Sequence, residues 1–351
     1  MSESAPGIRD VLAAAARIRD AVRRTPLEGV HWLSDAAGTE VLAKLESQQR
    51  TGSFKIRGAL NAVRSLQDDG AVVTASAGNH GLGVALAARE SGRAAVVFVP
   101  DSAPEVKKRR INRLGARLIE VRGGYDDAHA EAETFARSER ARYVHAFSDA
   151  DVVAGQGTVA LEILDDRPDV RTLILPVGGG GLAGGCGLVA RAIAEGTRVI
   201  GVQSEVTSAM SRSLRAGRPV SHPAGDTVCD GLEGDVDEAS LALCRAVVDE
   251  IVLVPEREVR RAMRDLFVEA GVVAEGSAAV VAAACRTGAI RDLEGPVAVV
   301  ISGANVDAGL FAAVLGEGTG AGASRGPTLP MIPDPLQASV LQRATMSKPV
   351  D

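Results

Sequence analysis

Between Gly70 and Leu315, short apolar runs alternate with helical stretches, and this alternation narrows the fold more than any other feature of the chain. Val72-Val73-Thr74-Ala75, Ala94 to Val99, Arg117 to Val121, Arg142 to Ala146, Thr172 to Pro176, Arg198 to Val202, residues 250–254 and Val297 to Ser302 read as strands. Helices are expected over 82–91, 104–114, 125–140, 154–165, the stretch ending at Glu195, 208–216, 239–247, 256–270, 276–285 and 306–315. Strands that are apolar throughout, each followed by a helix, belong to parallel sheets covered on both faces. The expected fold class is therefore α/β.

Ahead of this region, Gly7 to Arg24 reads as an amphipathic helix with Ile8, Val11, Leu12, Ala15, Ile18 and Val22 on one face. Thr25-Pro26 ends it, because a residue before proline disfavours helix. Leu27 to Leu33 is expected to be short and irregular, Glu40 to Glu46 a strand, and Lys55 to Leu66 a helix.

At 351 residues the chain is long for one domain and comfortable for two. Only 3% of it is aromatic against 46% hydrophobic, so the core must be aliphatic. A formal charge of −6 argues against a nucleic-acid surface. The basic run Lys107-Lys108-Arg109-Arg110 has no interleaved aromatics and reads as a solvated helix face. Cys186, Cys229, Cys244 and Cys285 have no metal-ligand spacing and are expected as free thiols in a reducing cytoplasm. Met1 to Asp10 carries no signal-peptide pattern, and no apolar run is long enough to span a membrane.

Four stretches carry chemistry. Gly178-Gly179-Gly180-Gly181 follows a strand and opens a helix, so backbone N–H groups and the positive helix end can meet a phosphate there. No Gly-Lys-Ser/Thr follows, which excludes a Walker A loop. Ser76-Ala77-Gly78-Asn79-His80-Gly81 also sits at the carboxyl end of a strand, where open parallel sheets bind ligands. Asn79 there can bond a hydroxyl or phenolate. His80 reads better as a helix-start residue than as a general base. Ser302-Gly303-Ala304-Asn305 repeats the strand-to-turn arrangement, and Ser302 offers a neutral donor and acceptor. Lys55 opens a helix, the end where a cation is least favoured. A lysine bound as a Schiff base to a carbonyl cofactor escapes that objection. Together the four stretches suit a phosphorylated aldehyde.

Ser53-Phe54-Lys55-Ile56-Arg57-Gly58-Ala59, Ser76 to Gly81, Gly155-Gln156-Gly157-Thr158, Pro176 to Leu182 and Ser302-Gly303-Ala304-Asn305-Val306-Asp307 resemble, in order, the motif set of the serine/threonine dehydratase family. That family includes serine racemase and has the tryptophan-synthase β fold type of pyridoxal-phosphate enzymes. The resemblance covers about residues 20–315. It implies two domains of fold type II: a large cofactor-binding domain (1–66 and 149–315), a small domain (67–148) and a Gly/Pro-rich tail (316–351). It implies pyridoxal 5′-phosphate held by Lys55, Phe54 beside the ring, Asn79 on the ring oxygen, Ser302 on the ring nitrogen, and Gly178, Gly179, Gly180, Gly181 and Leu182 on the phosphate. Ser76, Ala77, Asn79 and His80 would surround the substrate carboxylate, with Phe147 nearby. The implied reaction is α,β-elimination from a threonine- or serine-like amino acid to a 2-oxo acid and ammonia, with Lys55 as the base at Cα. The alternatives are a β-replacement synthase or a dehydratase of a bulkier substrate, such as 3-hydroxyaspartate, phenylserine or a hydroxyectoine breakdown product. A homodimer or homotetramer is also implied.

The departures from the family pattern matter. Serine racemases carry a serine as second base where this chain has Ala77, which favours elimination. Metal-binding members place carboxylates where Gln203 and Ala209 stand, so no divalent-metal site is expected. Too little chain follows Leu315 for the regulatory domain of biosynthetic threonine dehydratases.

Overall fold

A computed structural model of the chain describes residues 6–221 and 225–317. The strands are β1 (Leu27–Gly29), β2 (Val41–Lys44), β3 (Val72–Ala75), β4 (Ala95–Pro100), β5 (Arg117–Val121), β6 (Arg142–Tyr143), β7 (Thr172–Pro176), β8 (Arg198–Ser204), β9 (Glu250–Val254) and β10 (Val297–Val300). The helices up to the middle of the chain are α1 (Ile8–Ile18), α2 (His31–Ala37), α3 (Lys55–Arg64), α4 (Asn79–Glu90), α5 (Glu105–Asn112), α6 (Tyr125–Glu139) and α7 (Ala150–Asp166). The others are α8 (Gly181–Ile193), α9 (Ala209–Ala216), α10 (Glu238–Val247), α11 (Glu256–Ala270), α12 (Gly276–Thr287) and α13 (Ala308–Gly316).

The strands form two sheets, one ordered β1-β2-β10-β7-β8-β9 and the other β5-β4-β3-β6. Every pairing is parallel except β1 with β2. β2, β7 and β10 are buried along their whole length, which is why they read as continuous apolar runs. Both sheets belong to one compact unit, residues 1–314; the second unit, residues 315–351, is described only to residue 317. The expected tail falls almost wholly outside the described residues.

Helix α7 connects the elements that matter for the site. It packs on α3 where Gly155 meets Gly58: a Cβ on Gly155 would lie 2.6 Å from the Gly58 Cα. It packs on α8 where Gly157 meets Gly185: a Cβ on Gly185 would lie 2.4 Å from the Val153 carbonyl oxygen. No side chain fits at either crossing. The Gly155-Gln156-Gly157 spacing is thus a two-sided contact, one face toward each helix. Gln156 adds a hydrogen bond from the Gly58 N–H to its Oε1 at 3.2 Å.

Several boundaries differ from the sequence reading. The first helix stops at Ile18 rather than Arg24. Residues 27–33 are not irregular: Leu27–Gly29 is an antiparallel edge strand, and α2 begins at His31. Neither leaves a periodic apolar signal, since β1 is largely exposed and only Leu33 of α2 is buried. Helix α7 begins at Ala150, so its glycines lie inside the helix and do not open it. Strand β6 ends at Tyr143, which frees His145, Ala146 and Phe147 to turn toward the other sheet.

Candidate active site

The chain enters α3 through Thr51-Gly52-Ser53-Phe54, which lies antiparallel to the segment leaving β10. Ser53 bridges Gly303. The Phe54 N–H donates to the Ser302 carbonyl at 3.0 Å, and the Ala304 N–H to the Gly52 carbonyl at 2.9 Å. Lys55 is the first residue of α3 and stands next to Ser302 for that reason. Its Nζ donates to the Ala146 carbonyl at 3.0 Å and lies 5.3 Å from the centre of the Phe54 ring. Burial lowers the amine's pKa to about 8, with the Glu275 carboxylate pulling the other way.

Around this amine is a cavity of about 330 Å³ at the carboxyl ends of strands from both sheets. Phe54, Lys55, Ser302 and Phe147 line it, as do the segments Ser76 to His80 and Gly178 to Leu182. Gly180 adopts φ 94°, a conformation that favours glycine, and α8 begins at the next residue. A Cβ on Gly179 would lie 2.4 Å from the Phe147 ring, and one on Gly181 would lie 2.9 Å from the Phe147 backbone. The loop therefore passes tight against Phe147. The first N–H groups of α8 have no acceptor within the helix and carry its positive end.

Asn79 opens α4 and belongs to a polar chain. Its Nδ2 donates to Glu275 Oε1 at 2.8 Å, and its Oδ1 accepts from Asn305 Nδ2 at 2.6 Å. The second Glu275 oxygen accepts the Asn305 N–H at 3.0 Å. Glu275 is 5% exposed, and its pKa is pushed up to about 7, mainly by burial and then by Asp230. His80 is buried, with Nε2 3.0 Å from the Val144 carbonyl and its pKa lowered to about 3, first by burial. Ser76 Oγ accepts from the Gly78 N–H at 3.2 Å and steadies the turn before α4.

Sequence reasoning missed three residues here. Glu275 precedes the small-residue helix α12 and looks like an ordinary helix-start acid. Lys107 and Arg110 were placed on a solvated face; Arg110 is exposed and Lys107 half-buried, but that face borders the cavity. Both line the cavity mouth: Lys107 Nζ lies 2.7 Å from Asp230 Oδ2, and Arg110 Nη2 donates to Asn305 Oδ1 at 2.6 Å. Lys108 is buried and paired with Glu120 at 2.6 Å. The i, i+3 spacing of Lys107 and Arg110 places them on one face of α5, a signal available in the sequence.

The positions that carry carboxylates in metal-binding members are used otherwise. The Gln203 amide is hydrogen-bonded inside the protein, and Ala209 opens α9. Among the described residues, no group of three His, Cys, Asp or Glu side chains is arranged to hold a metal.

The model of the pyridoxal-phosphate dependent enzyme family matches residues 18–303. The chain belongs to that family. It is 39% identical over 319 residues to an L-threonine ammonia-lyase of Thermotoga maritima, covering 89% of this chain and 78% of that one. A maize serine racemase structure superposes with a TM-score of 0.84 at 30% identity, covering 88% of this chain and 96% of the racemase. A threonine deaminase from Solanum lycopersicum gives 0.81 at 33%, covering 88% and 86%. The protein is pyridoxal-phosphate dependent, and its cavity suits that cofactor. A primary amine with lowered pKa faces the same space as an open helix N-terminus, and the buried Ser302 and half-buried Asn79 line that space with them.

Proposed function

We propose that this enzyme removes water from a β-hydroxy amino acid of the threonine or serine type, yielding a 2-oxo acid and ammonia. The observation that carries the reading is the pairing of the Lys55 amine with the glycine-walled end of α8 in one cavity. The similarity to an L-threonine ammonia-lyase gives that pairing its chemical direction.

In this reading the Lys55 amine would hold the cofactor at its aldehyde carbon. Gly178 to Leu182 hold the phosphate through backbone N–H groups, and Phe54 flanks the ring. Asn79 takes the ring oxygen and Ser302 the ring nitrogen. When bound, pyridoxal phosphate supplies the electron sink for charge left at Cα. The turn Ser76 to His80, at the N-terminal end of α4, takes the substrate carboxylate, and Phe147 covers the opposite side. With substrate bound, the free Lys55 amine would accept the Cα proton. A pKa of about 8 leaves a useful fraction of that amine uncharged near neutral pH. The hydroxyl departs from Cβ as water, the proton it takes up balancing the one that Lys55 removes from Cα, and the released enamine tautomerises and hydrolyses to the 2-oxo acid and ammonium.

Ala77 lines the same cavity and carries no exchangeable proton. Inversion at Cα needs a proton carrier on each face, so this wall favours elimination over racemisation. We also infer a cytoplasmic homodimer or homotetramer. The four cysteines, all buried and unpaired, are consistent with a reducing compartment. Leu12 and Ile193, both more than half exposed, flank one groove suited to a second copy. No helix among the described residues is long and apolar enough to cross a membrane.

The test is a panel of β-hydroxy amino acids with ammonia and 2-oxo acid release measured together. Threonine or serine should be turned over, and Lys55→Ala should reduce turnover at least 10⁴-fold, on the order expected when the nucleophile and base is lost. Near-wild-type release by Lys55→Ala would sink the mechanism. Rapid D-serine formation from L-serine would sink the role given to Ala77.

A further inference from the structure

We propose that Gln203 is a positioning residue for the phosphate loop, its side-chain amide doing internally what a coordinated cation would do at the same place. The proposal rests on the reading above that Gly178 to Leu182 hold the phosphate.

Gln203 lies near the end of β8 and is fully buried. Its Nε2 donates to two backbone carbonyls, Val177 at 3.0 Å and Thr207 at 2.8 Å. Its Oε1 accepts the Ser211 N–H at 2.8 Å, from the first turn of α9. Two carbonyls converging on one nitrogen fix which way the amide faces, since only the NH₂ end can meet them.

The Val177 carbonyl shares one planar peptide unit with the Gly178 N–H. In a trans peptide the C=O and N–H point in opposite directions. Gln203 pins the Val177 oxygen on one side of the loop and so turns the Gly178 N–H to the other side. The Val177 N–H is also fixed, donating to the Val202 carbonyl at 2.9 Å. Val177, the residue that leads into the tetraglycine, is thus held through both its N–H and its C=O, while the glycines after it have no side chains with which to fix themselves. Water offers no substitute at a fully buried site, so loss of the amide leaves two carbonyls without donors.

Glutamate at this position would present oxygen to the Val177 and Thr207 oxygens. Such a cluster is repulsive alone and becomes a hard-cation site once a divalent ion enters. Gln203→Met removes the donor and adds no charge.

The experiment measures the dissociation constant of pyridoxal 5′-phosphate and the thermal midpoint for wild type, Gln203→Met and Gln203→Glu, with and without 5 mM Ca²⁺ or Mg²⁺. Expected is a loss of cofactor affinity of about 30-fold or more in both variants. Divalent ion should recover at least a third of the loss, on a logarithmic scale, in Gln203→Glu and none in Gln203→Met. A merely structural role would lower the thermal midpoint and leave cofactor affinity within twofold of wild type, and that result overturns the proposal. Equal responses of the two variants to the ions would overturn the cation comparison. Cofactor binding is read without substrate, so a wild type that binds pyridoxal phosphate but releases no 2-oxo acid would defeat the functional reading alone.

Discussion

Replacing Glu275 with glutamine should remove the pH dependence of one part of this protein's stability. The carboxyl is 5% exposed and has a pKa of about 7 against an ordinary 4.5. Burial is the first cause, and the hydrogen bonds from Asn79 and the Asn305 N–H only partly offset it. In the unfolded chain the proton leaves near 4.5, whereas the fold keeps it to about 7. Between those values the native state binds more protons, so stability falls as pH rises. At about 1.4 kcal/mol per pH unit, the full penalty is roughly 3 kcal/mol above pH 7 and vanishes below the unfolded value. Glutamine has no such penalty, but its carboxamide oxygen can satisfy only one of the two donors well. That fixed cost is about 1–3 kcal/mol at every pH. Glu275→Gln should therefore be the less stable protein at pH 5 and should match or exceed the parent at pH 8. The relative change across that range is about 2–3 kcal/mol. Urea unfolding of both proteins, freed of cofactor, at pH 5, 6, 7 and 8 measures it, and other titrating groups cancel in the difference. A stability difference that stays constant from pH 5 to pH 8 refutes the assignment of a proton to buried Glu275.

Gly155→Ala should destabilise the protein by about 1–3 kcal/mol, because its Cβ falls on the Gly58 Cα and the α3 backbone has to move. Lys55 is carried on α3, so kcat should fall with it; a thermal midpoint and kcat both at the parent's values would count against α7 as the fixed support. Arg110→Met should raise KM severalfold by loosening α5 at the cavity mouth, where Arg110 meets Asn305. Arg109→Met, on an exposed part of the same helix, serves as its control, and indistinguishable steady-state constants for the two variants would remove Arg110 from the closing contacts.

Much of the fold was legible because its strands are buried on both faces. β3, β7 and β10 read directly as apolar runs, and the glycine loop announced itself by sitting between a strand and a helix. What escaped did so for identifiable reasons. β1 and α2 depend on partners, Leu27 on Lys44 and the lone buried Leu33 on the core, and local sequence does not encode either. Glu275 escaped because burial, not its position in sequence, makes it unusual. Lys107 and Arg110 escaped because four successive basic residues look solvated until α5 is seen to turn one face to Asp230 and Asn305. The tetraglycine was visible, but Gln203, which holds its first peptide, lies some 25 residues away on the neighbouring strand β8. Parallel neighbours are distant in sequence by construction.

The placement of Lys55 at a helix start, unfavourable for a cation, now has a physical account. Loss of hydration disfavours the ammonium form and takes the pKa to about 8, against the pull of Glu275. Burial acts on Glu275 in the opposite direction and takes its pKa to about 7. Both groups thus move toward their neutral forms as neutral pH is approached from the side on which each is charged. An anionic phosphate brought to the N-terminus of α8 then shares the cavity with an amine able to react with an aldehyde. Lowering the amine's pKa further would gain little, since a weaker base takes a proton from Cα less readily. Glu275 is the group that limits the drop: its charge raises the Lys55 pKa against burial. The same carboxylate that orients Asn79 therefore also sets how basic Lys55 remains, so ring position and base strength are tied to one buried side chain.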